Sequence, residues 1–288
     1  MSMSHSPLMI REALAWGKQS LAPVSDSASL DAQLLLGAVL EKDRAWLLAR
    51  PEQPLTSEPN SHYQTLIERA AAGEPLAYIL GRRAFYDRDL AVSPAVLIPR
   101  PETEILLKWA LEFARAHPGC TAVDVGTGSG ALAVTLAANC PDVTVYATDI
   151  SRDALAVARQ NAVEHQANVT FFEGDLLTPL VERNIQIDLL MANLPYIATG
   201  DLPALAVSRY EPRLALDGGA DGLDLVRRLL DQAAALCKPG ARVLLEIGAD
   251  QGAAALRLAQ AAFPGAALQI IQDYAALDRI VQVDLGGN

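Results

Sequence analysis

Residues Thr121 to Gly130 read TAVDVGTGSG, and no other stretch limits the possible folds of this chain so strongly. Ala122, Val123 and Val125 form a short apolar run bounded by turn residues, as in a strand buried on both faces, and helical character resumes over Ala131 to Ala138. Between them, Gly126, Gly128 and Gly130 permit a tight turn with positive φ and close approach of backbone to a ligand. The N-terminus of the following helix leaves N–H groups free to bind something polar above it. Strand, turn and helix in this order predict an α/β protein with a nucleotide-type pocket.

Two nucleotides fit the loop. Gly126, Gly128 and Ala131 satisfy the dinucleotide pattern G-x-G-x-x-G/A, whose acidic partner lies about 20 residues further on, where Asp149 stands. The same stretch satisfies D-x-G-x-G-x-G. In that case Asp124 sits at the strand end, the loop with Thr127 and Ser129 holds the amino-acid part of S-adenosylmethionine, and Asp149 takes the ribose hydroxyls. The loop alone leaves both open.

The chain has 288 residues, enough for two domains. Half the residues are apolar and a fifth are charged, an ordinary soluble composition. No run approaches the roughly 18 apolar residues of a membrane span, and the N-terminus lacks the features of a signal peptide, so a cytoplasmic protein is expected. Three scattered cysteines and four isolated histidines suggest neither a disulfide frame nor a metal site. Residues 101–288 carry 13 basic against 23 acidic side chains, which disfavours nucleic acid as a direct substrate.

Residues 1–75 read as a small helical bundle. Ser6-Pro7 suits a helix start, Ile10, Ala13, Leu14 and Gly17 follow at helical spacing, and prolines at 23, 51, 54 and 59 separate further apolar segments. Trp16 and Trp46 are expected in its core, and with no catalytic residue in view the bundle is expected to dock a macromolecule. Residues 76–100 are rich in aromatic and β-branched side chains around Tyr86-Asp87-Arg88-Asp89, which predicts a β-hairpin linker; its arginines make it the only net-positive segment. From 101 onward strands are expected near 122–125, 143–149, 169–172, 188–193, 243–247, 268–271 and 279–284, with helices between most of them. That alternation predicts a mainly parallel seven-stranded sheet covered on both faces. Ligands bind at the carboxyl ends of such strands. Asp124, Asp149, Asp175 and Asn193 all fall at or just beyond one, so four separate positions converge on one rim.

Asp188 to Ile197, DLLMANLPYI, decides between the nucleotides. A buried strand delivers Asn193, and Leu194-Pro195-Tyr196 forces a rigid extended exit. An amide or aromatic amino nitrogen is a poor nucleophile because its lone pair is delocalised. It needs its two N–H bonds gripped by neutral acceptors such as Asn193 Oδ1 and a neighbouring backbone carbonyl. Tyr196 can stack on the planar group. A dehydrogenase would need a proton relay that no histidine here supplies, so methyl transfer is favoured.

GEPLAYILGRRAFY, VLIPRPETE, DVGTGSGALA, ATDIS, GDLL, NLPYI, YEPRLALDGGADGLD and LLEIGADQG occur in one order along nearly the whole chain. In this the chain resembles the peptide chain release factor glutamine methyltransferases. The resemblance implies a Rossmann-like methyltransferase domain over 101–288, a hairpin linker over 76–100 and a helical domain over 1–75. It implies S-adenosylmethionine as cofactor, S-adenosylhomocysteine as product, and the glutamine of the Gly-Gly-Gln loop of release factors as target. Gly126, Gly128 and Gly130 would floor the methionine part, Asp175-Leu176 would border adenine, and Asn193, Leu194, Pro195, Tyr196 and Arg100 would meet the substrate. Leu194 stands where the family usually has proline; its backbone carbonyl serves as well, but one restraint on φ is lost. Asn-Leu-Pro-Tyr is also similar to the motif of ribosomal RNA adenine dimethyltransferases, whose glycine loop precedes rather than follows the helical domain. A non-catalytic cofactor-binding protein is the other alternative, against which an intact Asn193 and Tyr196 count.

Overall fold

A computed structural model describes residues 8–287 and divides them into two compact units with the boundary after Gly81. Ser6-Pro7 and His5 lie outside the described residues.

The first unit is helical: α1 (Ile10–Leu21), α2 (Ala28–Leu40), α3 (Arg44–Leu48), α4 (Ser57–Ala71) and α5 (Leu76–Leu80). In α1 the apolar positions Ile10, Ala13, Gly17 and Leu21 recur at helical spacing and are all buried. They meet Leu35, Leu36, Leu47, Tyr63 and Ile67 in one core. The start of α1 is held by Glu12, whose carboxylate accepts the Met9 N–H at 2.8 Å. Trp46 packs against this core as expected, while Trp16 departs from expectation. Trp16 is exposed, with its ring edge-on to Tyr63, and Trp46 is half-buried with Lys42 and Arg50 over its ring. The expected hairpin segment also opens differently, since Leu76–Leu80 is a helix that ends on Gly81 in the left-handed region.

The second unit opens with the hairpin of β1 (Arg82–Phe85) and β2 (Arg88–Ala91), whose turn places Tyr86 at φ 56°. Rather than a free linker, it is anchored within this unit: Phe85 and Leu90 enter the core beneath α6 (Thr103–Ala116), and buried Asn161 holds both the N–H and C=O of Ala91. Arg82 pairs with Asp89 and Glu164, and Arg88 with Asp87, so much of the segment's positive charge is balanced locally.

After α6 come β3 (Thr121–Val125), α7 (Ala131–Asn139), β4 (Thr144–Asp149), α8 (Arg152–Glu164), β5 (Val169–Glu173), α9 (Thr178–Val181) and β6 (Ile187–Ala192). Then follow α10 (Asp224–Leu236), β7 (Cys237–Glu246), α11 (Gly252–Ala262), β8 (Ala267–Gln272) and β9 (Asp278–Asp284). The seven strands form one sheet in the order β5-β4-β3-β6-β7-β9-β8, parallel from β5 to β7, with β9 antiparallel to both its neighbours. Alternation along the central strands feeds two cores. Ala122, Leu189 and Met191 pack with α6 and α7, whereas Val123, Val125 and Leu190 pack with α10 and α11. The strand order reverses between β3 and β6, which opens a crevice at their carboxyl ends. Among the described residues no helix is long and apolar enough to cross a membrane.

Candidate active site

That crevice is a cavity of about 340 Å³, within the usual size range for small-ligand pockets, and Asp124, Asp149, Asp175 and Asn193 all line it. Asp124 ends up buried because β3 is covered on both faces. Its Oδ2 accepts the Thr127 hydroxyl at 2.6 Å and the Ala133 N–H at 3.2 Å. Burial nevertheless pushes its carboxyl up to about 6, against the lowering effect of those two hydrogen bonds and with Asp149 adding to the rise. Nearby positive charge would therefore be welcome. Asp149, at the end of β4, accepts the Gly128 N–H on Oδ2 and the Ser151 N–H on Oδ1, each at 2.9 Å. Each oxygen keeps a lone pair, so the carboxylate can take two vicinal hydroxyls while holding the glycine loop in place.

Gly126, Thr127, Gly128 and Ser129 also line the cavity. Gly126 has φ 71°, and a Cβ on it would stand 2.9 Å from Leu194 Cδ2, so the cradle exists only because this residue has no side chain. The same contact answers the question raised by Leu194: its side chain is buried against the loop, and packing replaces the restraint a proline would supply. Gly130 departs from expectation. It is absent from the cavity lining, and a Cβ there would come within 3.0–3.3 Å of Val134 and Ala158, so it serves the close packing of α7 on α8. Asp175 and Leu176 border the opposite end, where Asp175 pairs with Arg228 and Leu176 adopts φ 50°, a costly conformation for a branched residue. Together the hydroxyl-accepting carboxylate, glycine cradle and buried acid fit S-adenosylmethionine.

Asn193, Leu194 and Pro195 form the adjoining wall. Asn193 Nδ2 donates to Thr103 Oγ1 at 2.9 Å, which links β6 to the start of α6. Arg100 also lines the cavity, but its guanidinium is held at 2.5 Å by the buried carboxylate of Glu211, which also accepts the Ile98 N–H at 3.1 Å. Arg100 thus clamps its own segment to the wall. Tyr196 is a second departure, since it lies half-buried outside the lining. The exit path explains it. Gln251 Nε2 donates to the Tyr196 carbonyl at 2.9 Å, Ile197 bridges to Asp217, and the glycine loop around Gly218 and Gly222 presses on the backbone of Pro195 and Tyr196. The phenol is raised above its ordinary value first by burial and then by Glu246, with Arg279 opposing.

Sequence inspection assigned no role to Thr103, Glu211, Gly218, Gly222, Glu246 or Gln251. For Glu246 the signal was available. It is the acid at the carboxyl end of the apolar run VLLE, the same criterion that singled out Asp124 and Asp149. Glu246 is buried with Oε2 lacking a hydrogen-bond partner, and burial pushes its carboxyl up to about 7, against the lowering effect of nearby Thr103 and Asn193.

Comparison with known proteins agrees along the chain. A family model described as the PrmC N-terminal domain matches residues 12–81, and one described as a methyltransferase domain matches residues 122–211. The chain is 45% identical to the release factor glutamine methyltransferase of Moorella thermoacetica, over 94% of this chain and 97% of that protein. It is 36% identical to the protein of the same name from Bacillus anthracis, over 96% and 100%. A solved methyltransferase from Pyrococcus furiosus shares the fold, with a TM-score of 0.53 and 21% identity over 79% of this chain and 100% of that one.

Proposed function

Because the chain belongs to the release factor glutamine methyltransferase family, whose cofactor is S-adenosylmethionine, we propose that it methylates the side-chain amide nitrogen of the glutamine in the Gly-Gly-Gln motif of peptide chain release factors. One observation carries this beyond the family: Asn193, Leu194 and Pro195 line the same cavity as the glycine loop and Asp149, so amide acceptors stand beside the cofactor's place. Bound there, the cofactor supplies an electrophilic methyl group on a positively charged sulfur. Asp149 would receive the ribose hydroxyls, the Gly126–Gly128 turn would cradle the methionine part, and buried Asp124 would favour its positive charge.

The chain's contribution to chemistry is positioning. Asn193 Oδ1 accepts one N–H of the target amide and the Leu194 carbonyl the other, which turns the nitrogen lone pair out of conjugation and toward the methyl. Pro195 fixes the exit so that both acceptors stay aligned. The helical unit is assigned to docking the release factor. Since translation termination is a cytoplasmic process, so is the enzyme's place of work.

Incubating purified release factors with the protein and S-adenosylmethionine should add one methyl group to the Gly-Gly-Gln glutamine, as read by mass spectrometry of the peptide. Without residues 1–81, cofactor affinity should persist while KM for the intact release factor rises. An unmethylated glutamine refutes the activity, and an unchanged KM refutes the docking role. Asp149→Ala should weaken S-adenosylmethionine binding by about 1.5–3 kcal/mol, the scale of hydrogen bonds to a charged group. Equal affinity by calorimetry would remove Asp149 from the ribose site.

A further inference from the structure

A turn with glycines at positive φ at 126, 128 and 130 owes its shape to whatever bonds its backbone. From the β4 side, the Thr148 carbonyl accepts the Gly126 and Thr127 N–H groups at 2.9 and 3.0 Å, and Asp149 accepts the Gly128 N–H. The far half of the turn is backed by α8. A Cβ on Gly130 would press on Ala158, and three residues further along the helix Asn161 Nδ2 donates to the Ser129 carbonyl at 2.8 Å. Asn161 is fully buried and spends the rest of its amide on the hairpin: Oδ1 accepts the Ala91 N–H at 2.7 Å, and Nδ2 donates to the Ala91 carbonyl at 3.0 Å. These partners fix which way the amide faces, since inversion would set its oxygen against two carbonyls.

Given the cofactor site proposed above, we infer that Asn161 is a positioning residue that couples the β1–β2 hairpin to the glycine turn, so that the hairpin's placement sets cofactor affinity from outside the cavity. Among the described residues the cavity lining begins at Ala95, beyond the hairpin. The end of α8 grips the hairpin at two further points: Glu164 pairs with Arg82, and His165 Nε2 lies 3.1 Å from the Asp89 carbonyl. Positions 161, 164 and 165 stand on one side of the helix end. Packing alone does not explain a fully buried asparagine, because an apolar side chain fills such a place without the cost of desolvating an amide. Asn161 instead joins Ala91 and Ser129, which stand 70 and 32 residues from it in sequence, and a buried amide with its oxygen and both N–H bonds engaged is stiff. The coupling runs both ways: a cofactor that orders the glycine turn also steadies the hairpin.

Asn161→Ser, too short to span both segments, should raise the calorimetric Kd for S-adenosylmethionine roughly tenfold, the scale of one buried hydrogen bond that the bound state needs. Its kcat at saturating cofactor should hold, because the wall at Asn193, Leu194 and Pro195 is untouched. Hydrogen exchange separates coupling from a mere loss of stability. In the wild-type protein S-adenosylmethionine should slow exchange over residues 82–91 more than over β8 and β9, whose change registers overall stabilisation. In cofactor-saturated Asn161→Ser that excess should disappear. The wild-type measurement stands even if the variant fails to fold. No excess slowing over 82–91 in the wild-type protein, or wild-type affinity in a folded Asn161→Ser, would overturn the coupling. Asp149→Ala, measured beside them, tests the cofactor site itself: unchanged affinity there would refute the site, whereas weakened affinity there with none in Asn161→Ser refutes the coupling alone.

Discussion

Asn193→Ala is expected to lower methyl transfer on the order of a hundredfold or more, because it removes an acceptor needed most as the amide nitrogen approaches the methyl. Cofactor affinity should change little, since Asp149 and the glycine turn stand on β4 and between β3 and α7 and are untouched. Single-turnover kinetics beside calorimetric cofactor binding separate the two effects. Near wild-type turnover would show that the amide is gripped elsewhere on the rim.

Gly222→Ala should be comparably damaging from outside the cavity. Gly222 has φ 75°, and a Cβ there would lie 2.1 Å from the Tyr196 carbonyl oxygen and 2.5 Å from Gln251 Nε2. Gln251 can swing aside, but the carbonyl is backbone, so the 218–222 loop and the segment that carries Asn193 must part. A displacement near 1 Å at a positioning group costs roughly a hundredfold in rate. Gly240→Ala is the control: its φ of 82° carries the same backbone penalty, but nothing lies within 4 Å of its Cβ. Gly240→Ala should lose some stability and keep its turnover. Equal activity in the two variants would mean that the 218–222 loop does not brace the active site.

The sheet was legible because its central strands β3 and β6 are buried on both faces and read as apolar runs, and helical segments punctuate the rest: all seven expected strands are present, and α8 spans the expected Arg152–Glu164. Four positions of the cavity lining were legible for a related reason. Asp124, Gly126, Gly128 and Asp149 are close in sequence to the strand ends that position them. What escaped notice depends on contacts between distant segments. Thr103 reaches Asn193 from 90 residues away and Gln251 reaches Tyr196 from 55, and no local pattern announces either pairing. Gly130 was placed in the floor because it shares the motif, although its conformation serves helix packing. Tyr196 was expected to stack in the cavity because sequence order gives no direction to a ring whose backbone is clamped from behind. Trp16 was expected inside, yet it stands edge-on to Tyr63 and stays 37% exposed.

Leu194 Cδ2 occupies the place where residue 126 would carry a side chain. The two positions therefore cannot drift independently. At φ 71° any side chain at 126 is strained, and the Leu194 methyl 2.9 Å from its Cβ must yield as well, so one substitution there disturbs the glycine turn and the turn that follows Asn193 together.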